Sequence, residues 1–128
     1  DIIEGIDKLV ETTKDNTGMT FTIAINYGGR DEIRRAVQKM LEEYRESPYD
    51  VEGITEQFVD DHLDTAGLPD PDLLIRTSGE LRLSNYLLWQ LAYSEIYVTD
   101  VLWPDFDEEE LQNAIAAYNK RERRFGGR

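Results

Sequence analysis

Between Arg76 and Asn85 the chain places two arginines, Arg76 and Arg82, and the hydroxyl of Ser84 around a turn at Gly79. A planar guanidinium can grip two phosphate oxygens at once, and a serine hydroxyl can hold another. The strand-like run Leu73-Leu74-Ile75 leads into this loop, and the apolar run from Tyr86 to Tyr93 leads out of it as a predicted helix. Free N–H groups and the positive end of the dipole at such a helix start would favour an anion. The chain carries 27 acidic against 14 basic side chains, a formal net charge of -13. Arginines gathered at one turn of so acidic a protein predict a local phosphate pocket. The competing reading pairs each arginine with a nearby carboxylate. Glu80, inside the loop, would then orient an arginine or make a subunit contact.

Glu95 opens the next predicted strand. A carboxylate facing a diphosphate is repelled unless Mg²⁺ bridges the two, because Mg²⁺ favours carboxylate, phosphate and water oxygens. The alternative is an edge carboxylate in contact with an arginine. Asp60-Asp61-His62-Leu63-Asp64 has the spacing of an aspartate-rich metal motif, but no second copy faces it, and solvated helix surface is the expectation. His62 is the only histidine and has no evident catalytic partner. Trp89, Trp103, Phe106 and Tyr93 read as core or subunit interface. Five of the nine residues from Lys120 to Arg128 are basic, either a solvated end or a second phosphate-binding element.

The elements that must position these groups follow from periodicity. Ile3, Ile6, Leu9 and Val10 fall at helical spacing, and Asn16-Thr17-Gly18 closes that helix. Residues Thr20 to Ile25 read as a central parallel strand. Asn26-Tyr27-Gly28-Gly29-Arg30 is a turn, followed by a helix from about Asp31 to Arg45 with Ile33, Val37, Met40, Leu41 and Tyr44 as its buried face. Thr55 caps a helix to about Leu63. Further strands run over Leu73 to Ile75 and Glu95 to Val98. Asp107 caps the last helix, with Glu110 at the capping-box position and Leu111, Ile115 and Tyr118 along one face. Strands separated by helices predict an α/β fold with a parallel sheet.

The chain has 128 residues and no cysteine, which excludes disulfides and thiol catalysis and permits an intracellular setting. The acidic balance argues against general nucleic-acid binding. No apolar run approaches the roughly 20 residues of a membrane span. The chain starts without Met, and its first helix needs another element to cover it, so a piece of a longer protein is expected.

The runs Asn26 to Arg30, Asp72 to Asn85, Leu87 to Gln90, Glu95, Leu102 to Phe106 and Arg121 to Gly126 together resemble the cis-prenyltransferases, most of all bacterial undecaprenyl diphosphate synthases. The resemblance covers essentially the whole chain. It implies the three-layer, parallel-sheet fold of that family, with residues 1–128 as the C-terminal portion of a single domain whose N-terminal portion is missing. It implies condensation of isopentenyl diphosphate with an allylic diphosphate, farnesyl diphosphate, to give undecaprenyl diphosphate, a cell-wall lipid carrier. Arg76, Arg82 and Ser84 would hold isopentenyl diphosphate and Glu95 would help place Mg²⁺. Asn26, Gly28, Gly29, Arg30 and Glu80 would support the site. Arg124 and Gly126 match a C-terminal arginine-any-glycine element that completes the site of a partner subunit in a homodimer. The catalytic aspartate and the allylic-diphosphate loop would lie upstream. The implied setting is cytoplasmic, with peripheral membrane contact through the lipid product. Two other readings fit the same residues, a noncatalytic partner subunit of a prenyltransferase dimer and a phosphate-binding regulatory α/β domain.

Overall fold

The computed structural model describes residues 2–121, so Arg124 and Gly126 lie outside the described residues. Helix α1 spans Ile2–Thr13, α2 Gly29–Glu46, α3 Glu56–Asp60 and α4 Glu108–Asn119, with strands β1 Leu73–Arg76 and β2 Glu95–Val98 between α3 and α4. The capping residues act as their types predict. The Thr55 hydroxyl accepts from the Phe58 N–H at 3.1 Å, and the Asp107 carboxylate from the Glu110 N–H at 3.1 Å. Asp31 and Glu32 sit in the first turn of α2 and Arg45 in its last, each matched to the sign of the helix end.

β1 and β2 pair in parallel, Leu73 opposite Glu95 and Arg76 opposite Val98. The expected α/β class and parallel pairing hold, in a small sheet flanked by helices. Residues 20–25, expected as a central strand, are assigned no strand, and no other segment pairs with them among the described residues. An extended run becomes a strand only when a neighbour takes its N–H and C=O groups.

Two more expectations change. The run from Tyr86 to Tyr93 forms successive turns rather than a continuous helix. Ser84, Asn85 and Leu87 have φ of 51°, 64° and 41°, in the left-handed region that an α-helix cannot contain. The dipole argument for an anion therefore falls away, and any anion must be held by side chains. Helix α3 ends at Asp60, short of Leu63, and α1 ends at Thr13, well before Gly18.

The core is small. Ala36, Leu63 and Ala114 are the buried apolar residues among those described, and Glu32 and Gln90 are buried with them. Helix α2 buries Gly29, Glu32 and Ala36, so its buried face is rotated from the expected one, and Val37, Leu41 and Tyr44 are exposed. On α4 the buried residue is Ala114, while Leu111 and Ile115 are exposed. Apolar periodicity marked faces that could be covered. It did not show that α2 spends its closest approach on a glycine, an alanine and a carboxylate.

Candidate anion site

The loop from Thr77 to Ser94 crosses from β1 to β2, and its shape decides where the arginines point. At the end of β1, the Ser78 and Gly79 N–H groups donate to the Val101 and Thr99 carbonyls, each at 2.8 Å. Gly79 has φ 64°, and an added Cβ would stand 2.7 Å from an Asp100 carboxylate oxygen, so this turn requires glycine. Beyond it, Arg76 Nη2 lies 3.4 Å from Ser84 Oγ. Arg82 Nη1 pairs with Glu80 at 2.8 Å. Two small clefts adjoin here. One, of about 270 Å³, is lined by Leu74, Arg76, Glu80, Arg82 and the β2 residues Ile96 and Val98. The other, of about 220 Å³, is lined by Arg76, Arg82 and Tyr86 among others. Arg76 Nε is buried and finds no hydrogen-bond partner among the described residues. An unsatisfied buried donor costs about 1–3 kcal/mol, which an anion in the cleft would recover.

Glu95 is not at this place. It lies opposite Leu73, three residues back along the sheet from the Arg76–Val98 pair, a separation of about 10 Å at the usual strand rise. Leu74, Arg76, Ile96 and Val98 share the cleft face, so the alternation of side chains puts Glu95 on the other face. There its carboxylate accepts from Arg121 Nη1 at 2.8 Å. The structure thus brings Arg76, Arg82, Ser84 and Glu80 together and sets Glu95 apart within one chain. Among the described residues no three His, Asp or Glu side chains converge to hold a metal ion. A lone carboxylate still suits Mg²⁺, which takes one or two protein carboxylates and fills its shell with phosphate and water oxygens. The Arg121 contact is what the alternative reading expects, an edge carboxylate in contact with an arginine.

The second half of the loop is anchored by the turn before α2. The Gly29 N–H donates to the Asn85 carbonyl at 2.6 Å, and the Arg30 N–H to Asn85 Oδ1 at 2.9 Å. A Cβ on Gly28 would meet Asn85 Nδ2 at 2.8 Å, and one on Gly29 would meet Leu88 Cγ at 2.9 Å. The Asn26 to Arg30 turn therefore sets the backbone that carries Ser84.

Beneath it lies a polar network that the sequence did not suggest. The buried Glu32 carboxylate accepts from Gln90 Nε2 at 3.1 and 3.2 Å, from the Asp64 N–H at 2.9 Å and from the Tyr27 hydroxyl. Gln90 Nε2 also reaches Thr65 Oγ1 at 3.0 Å. Burial, reinforced by Glu32, pushes the Tyr27 phenol well above its ordinary range. The only signal available was an acidic residue at helix position four, which reads first as a dipole partner. Arg35, on the same helix, pairs with Asp31 at 2.9 Å and donates to Asp64 at 2.7 Å. Its hydrogen bonds hold both carboxyls below the usual carboxylate range. Asp60 accepts from Trp89 Nε1 at 2.6 Å, and Asp61 from Gln57 at 2.9 Å. The aspartate-rich run is thus divided among three separate partners rather than aimed at one ion. His62 bridges Phe58 O and Glu43 Oε2, at 2.6 and 2.8 Å, a structural position. A larger hollow of about 460 Å³ lies along residues 22–27 against Leu68, Pro69, Tyr86 and Leu87. Its mostly apolar wall lacks Arg76 and Arg82, so the anion argument belongs to the smaller clefts.

No helix among the described residues is long and apolar enough to cross a membrane. The chain is 55% identical over 122 residues to an isoprenyl transferase of Bacillus thuringiensis, covering 95% of this chain and 47% of that protein. It is 54% identical over 125 residues to an isoprenyl transferase of Staphylococcus saprophyticus, covering 98% and 49%. It thus spans about half the length of these relatives. The fold matches lavandulyl diphosphate synthase from Lavandula x intermedia, solved with dimethylallyl diphosphate, at a TM-score of 0.91 and 40% identity, over 97% of this chain and 53% of that one. The family model described as "Putative undecaprenyl diphosphate synthase" matches residues 1–126, and the chain belongs to this cis-prenyltransferase family.

Proposed function

We propose that the protein condenses isopentenyl diphosphate with an allylic diphosphate, farnesyl diphosphate, to form a cis-polyprenyl diphosphate, undecaprenyl diphosphate, and that this chain supplies the isopentenyl diphosphate half of the site. The observation that carries the reading is the buried, unpartnered Arg76 Nε beside the Arg82 cleft. Arg76 and Arg82 grip the diphosphate, and Ser84 takes one of its oxygens. Holding the diphosphates aligns the two reacting carbons and neutralises charge that grows on the leaving group. Asn26, Gly28, Gly29 and Arg30 keep the Ser84 backbone in register, and Glu80 orients Arg82 until the anion arrives.

Mg²⁺, when bound, supplies charge neutralisation at the diphosphates. Glu95 is the residue that would hold it. In this chain Glu95 faces away from the Arg76 cleft. Arg124 and Gly126 complete the site of a partner subunit in a homodimer. The setting is cytoplasmic, with peripheral membrane contact through the lipid product.

The test is calorimetric titration of isopentenyl diphosphate into the protein and into Arg76→Ala and Arg82→Ala. A charge-assisted hydrogen bond is worth about 1.5–3 kcal/mol, so each substitution should weaken binding by about 10- to 150-fold. His62→Ala, distant from the cleft, should leave it within about twofold if the fold is retained. Unchanged affinity in both arginine variants overturns the assignment.

A further inference from the structure

We propose that Asn85 is a positioning residue of the anion cleft, whose side-chain amide pins the turn that aims the Ser84 hydroxyl at Arg76. The proposal rests on the reading of Ser84 as a ligand of the diphosphate. The Tyr86 N–H donates to the Leu83 carbonyl at 3.1 Å, closing a turn whose two central residues, Ser84 and Asn85, have φ of 51° and 64°. Left-handed backbone suits asparagine and does not suit serine. A contact from outside the turn must therefore hold Ser84 in place, and helix α2 supplies it. Its N-cap residue, Gly28, makes no side-chain cap bond, so the first N–H groups of the helix need acceptors from elsewhere. Asn85 provides two, its carbonyl to the Gly29 N–H and its Oδ1 to the Arg30 N–H, at 2.6 and 2.9 Å. It caps the helix from 55 positions beyond Arg30. One residue thus finishes α2 and fixes the turn that carries Ser84 Oγ to 3.4 Å from Arg76 Nη2. Gly28 leaves room for the amide, since a Cβ there would stand 2.8 Å from Asn85 Nδ2. Asn85 acts on the anion only through Ser84.

The test is a mutant cycle read by calorimetric titration of isopentenyl diphosphate into the protein. Ser84→Ala removes one hydrogen bond to a charged group and should weaken binding by about tenfold or more. Asn85→Gly deletes Oδ1 but keeps the backbone carbonyl and accepts the left-handed conformation without strain. Acting through Ser84, it cannot cost more than Ser84→Ala, and a loss of about three- to tenfold is expected. With Ser84→Ala already present, Asn85→Gly should change the Kd by less than about 1.5-fold. Stability follows a different rule. Loss of the Arg30 hydrogen bond should lower the urea midpoint by about 0.5–1 M in either background. A residue that merely supports the fold would cost affinity as well as stability in both backgrounds. Gly28→Ala repeats the test from the opposite side. Gly28 has φ -149°, which any residue adopts, so the added Cβ acts by pushing the Asn85 amide away from Arg30. It should weaken binding too, and only while Ser84 is present. Far-UV circular dichroism confirms that each variant is folded, and Gly28→Ala carries the cycle alone if Asn85→Gly does not fold.

If Ser84→Ala weakens binding and Asn85→Gly does not, the positioning role is refuted and the Ser84 reading stands. An Asn85→Gly loss of equal size in both backgrounds refutes it as well. If Ser84→Ala leaves the affinity unchanged, the underlying reading of Ser84 fails and the proposal fails with it.

Discussion

Glu32 is 1% exposed, and its removal should reveal how the Ser84 loop is held. The carboxylate collects donors from three pieces of chain: Tyr27 before α2, the Asp64 backbone after α3 and Gln90 on the long loop. Glu32→Ala leaves the Asp64 N–H and the Tyr27 hydroxyl without this acceptor, while Gln90 keeps Thr65. At about 1–3 kcal/mol for each abandoned donor, and more for a charged acceptor, the loss is about 3–6 kcal/mol. Domains of this size are stable by only about 5–15 kcal/mol, so the Ala variant should be near unfolding. Glu32→Gln is the sharper test. It keeps shape and one acceptor oxygen but turns an NH₂ toward a donor, and it relieves the desolvation of a buried charge. The expected net loss is about 1–2 kcal/mol. With a urea slope of about 1–1.5 kcal/mol/M, the unfolding midpoint should fall by about 1 M. Tyr27→Phe should cost less in the Glu32→Gln background than alone, because the two groups share one bond. A midpoint for Glu32→Gln equal to or above wild type would refute the reasoning, since the buried carboxylate would then be a net burden.

Arg35 holds the Asp31 and Asp64 carboxyls low, so their stabilisation is present above the ordinary value of about 4 and is lost as pH falls through the lower folded values. Arg35→Gln should flatten the fall of the urea midpoint below pH of about 4, and an unchanged acid limb would count against it. The Glu43 carboxylate pushes His62 up, so that pair stabilises fully below the ordinary value of about 6.5 and is lost as pH rises through the folded one. A proton NMR titration should place His62 above the free value and return it toward that value in Glu43→Gln. Two glycines should respond in opposite directions. Gly29→Ala must displace Leu88 and the Asn85 carbonyl, found 2.9 and 3.2 Å from the new Cβ, at about 1–3 kcal/mol of stability. Gly5→Ala in α1 meets nothing within 4 Å and should stabilise the helix by about 0.5–1 kcal/mol. Thermal unfolding of both variants checks the pair.

Features read from local rules were legible. Thr55 and Asp107 cap their helices because a cap depends on a few neighbouring residues. The parallel pairing of β1 with β2 was expected from strands separated by a helix, and it holds although that connection forms turns. Features that depend on distant partners were not. Residues 20–25 have strand composition, yet nothing among the described residues completes their hydrogen bonds. Tyr86 to Tyr93 has helical composition, but Leu87 within it and Ser84 and Asn85 just before it are left-handed. The arginine loop was found because its chemistry is concentrated in ten residues. The Arg121–Glu95 contact spans 26 positions and the Gln90–Glu32 contact 58, and no periodicity connects such pairs. Asp60 to Asp64, expected as solvated helix surface, instead sets Asp60 against Trp89 and Asp64 against Arg35, partners in other elements that no local rule connects.

Charge balance then limits how the anion cleft can work. Arg76 and Arg82 face it with Glu80, two cations against one carboxylate. A fully ionised diphosphate carries more negative charge than that balance offsets, and the chain as a whole is at -13. Most of that total acts weakly, since surface charges beyond about 8 Å are screened at physiological salt. The local deficit is not screened in the same way. Binding must therefore take Arg82 from Glu80, which leaves another carboxylate to be compensated. The chain does not offer Glu95 and Arg121 to its own cleft, because they lie on the opposite sheet face. On the proposed reading, additional positive charge arrives with the ligand as a divalent cation. A diphosphate without metal should consequently bind weakly and lose affinity steeply with salt. The same ligand with Mg²⁺ should bind more tightly and with a shallower salt dependence. Titrations at two ionic strengths, with and without Mg²⁺, distinguish these cases. Equal affinity and equal salt slopes would show that the two arginines suffice and that the charge argument is wrong.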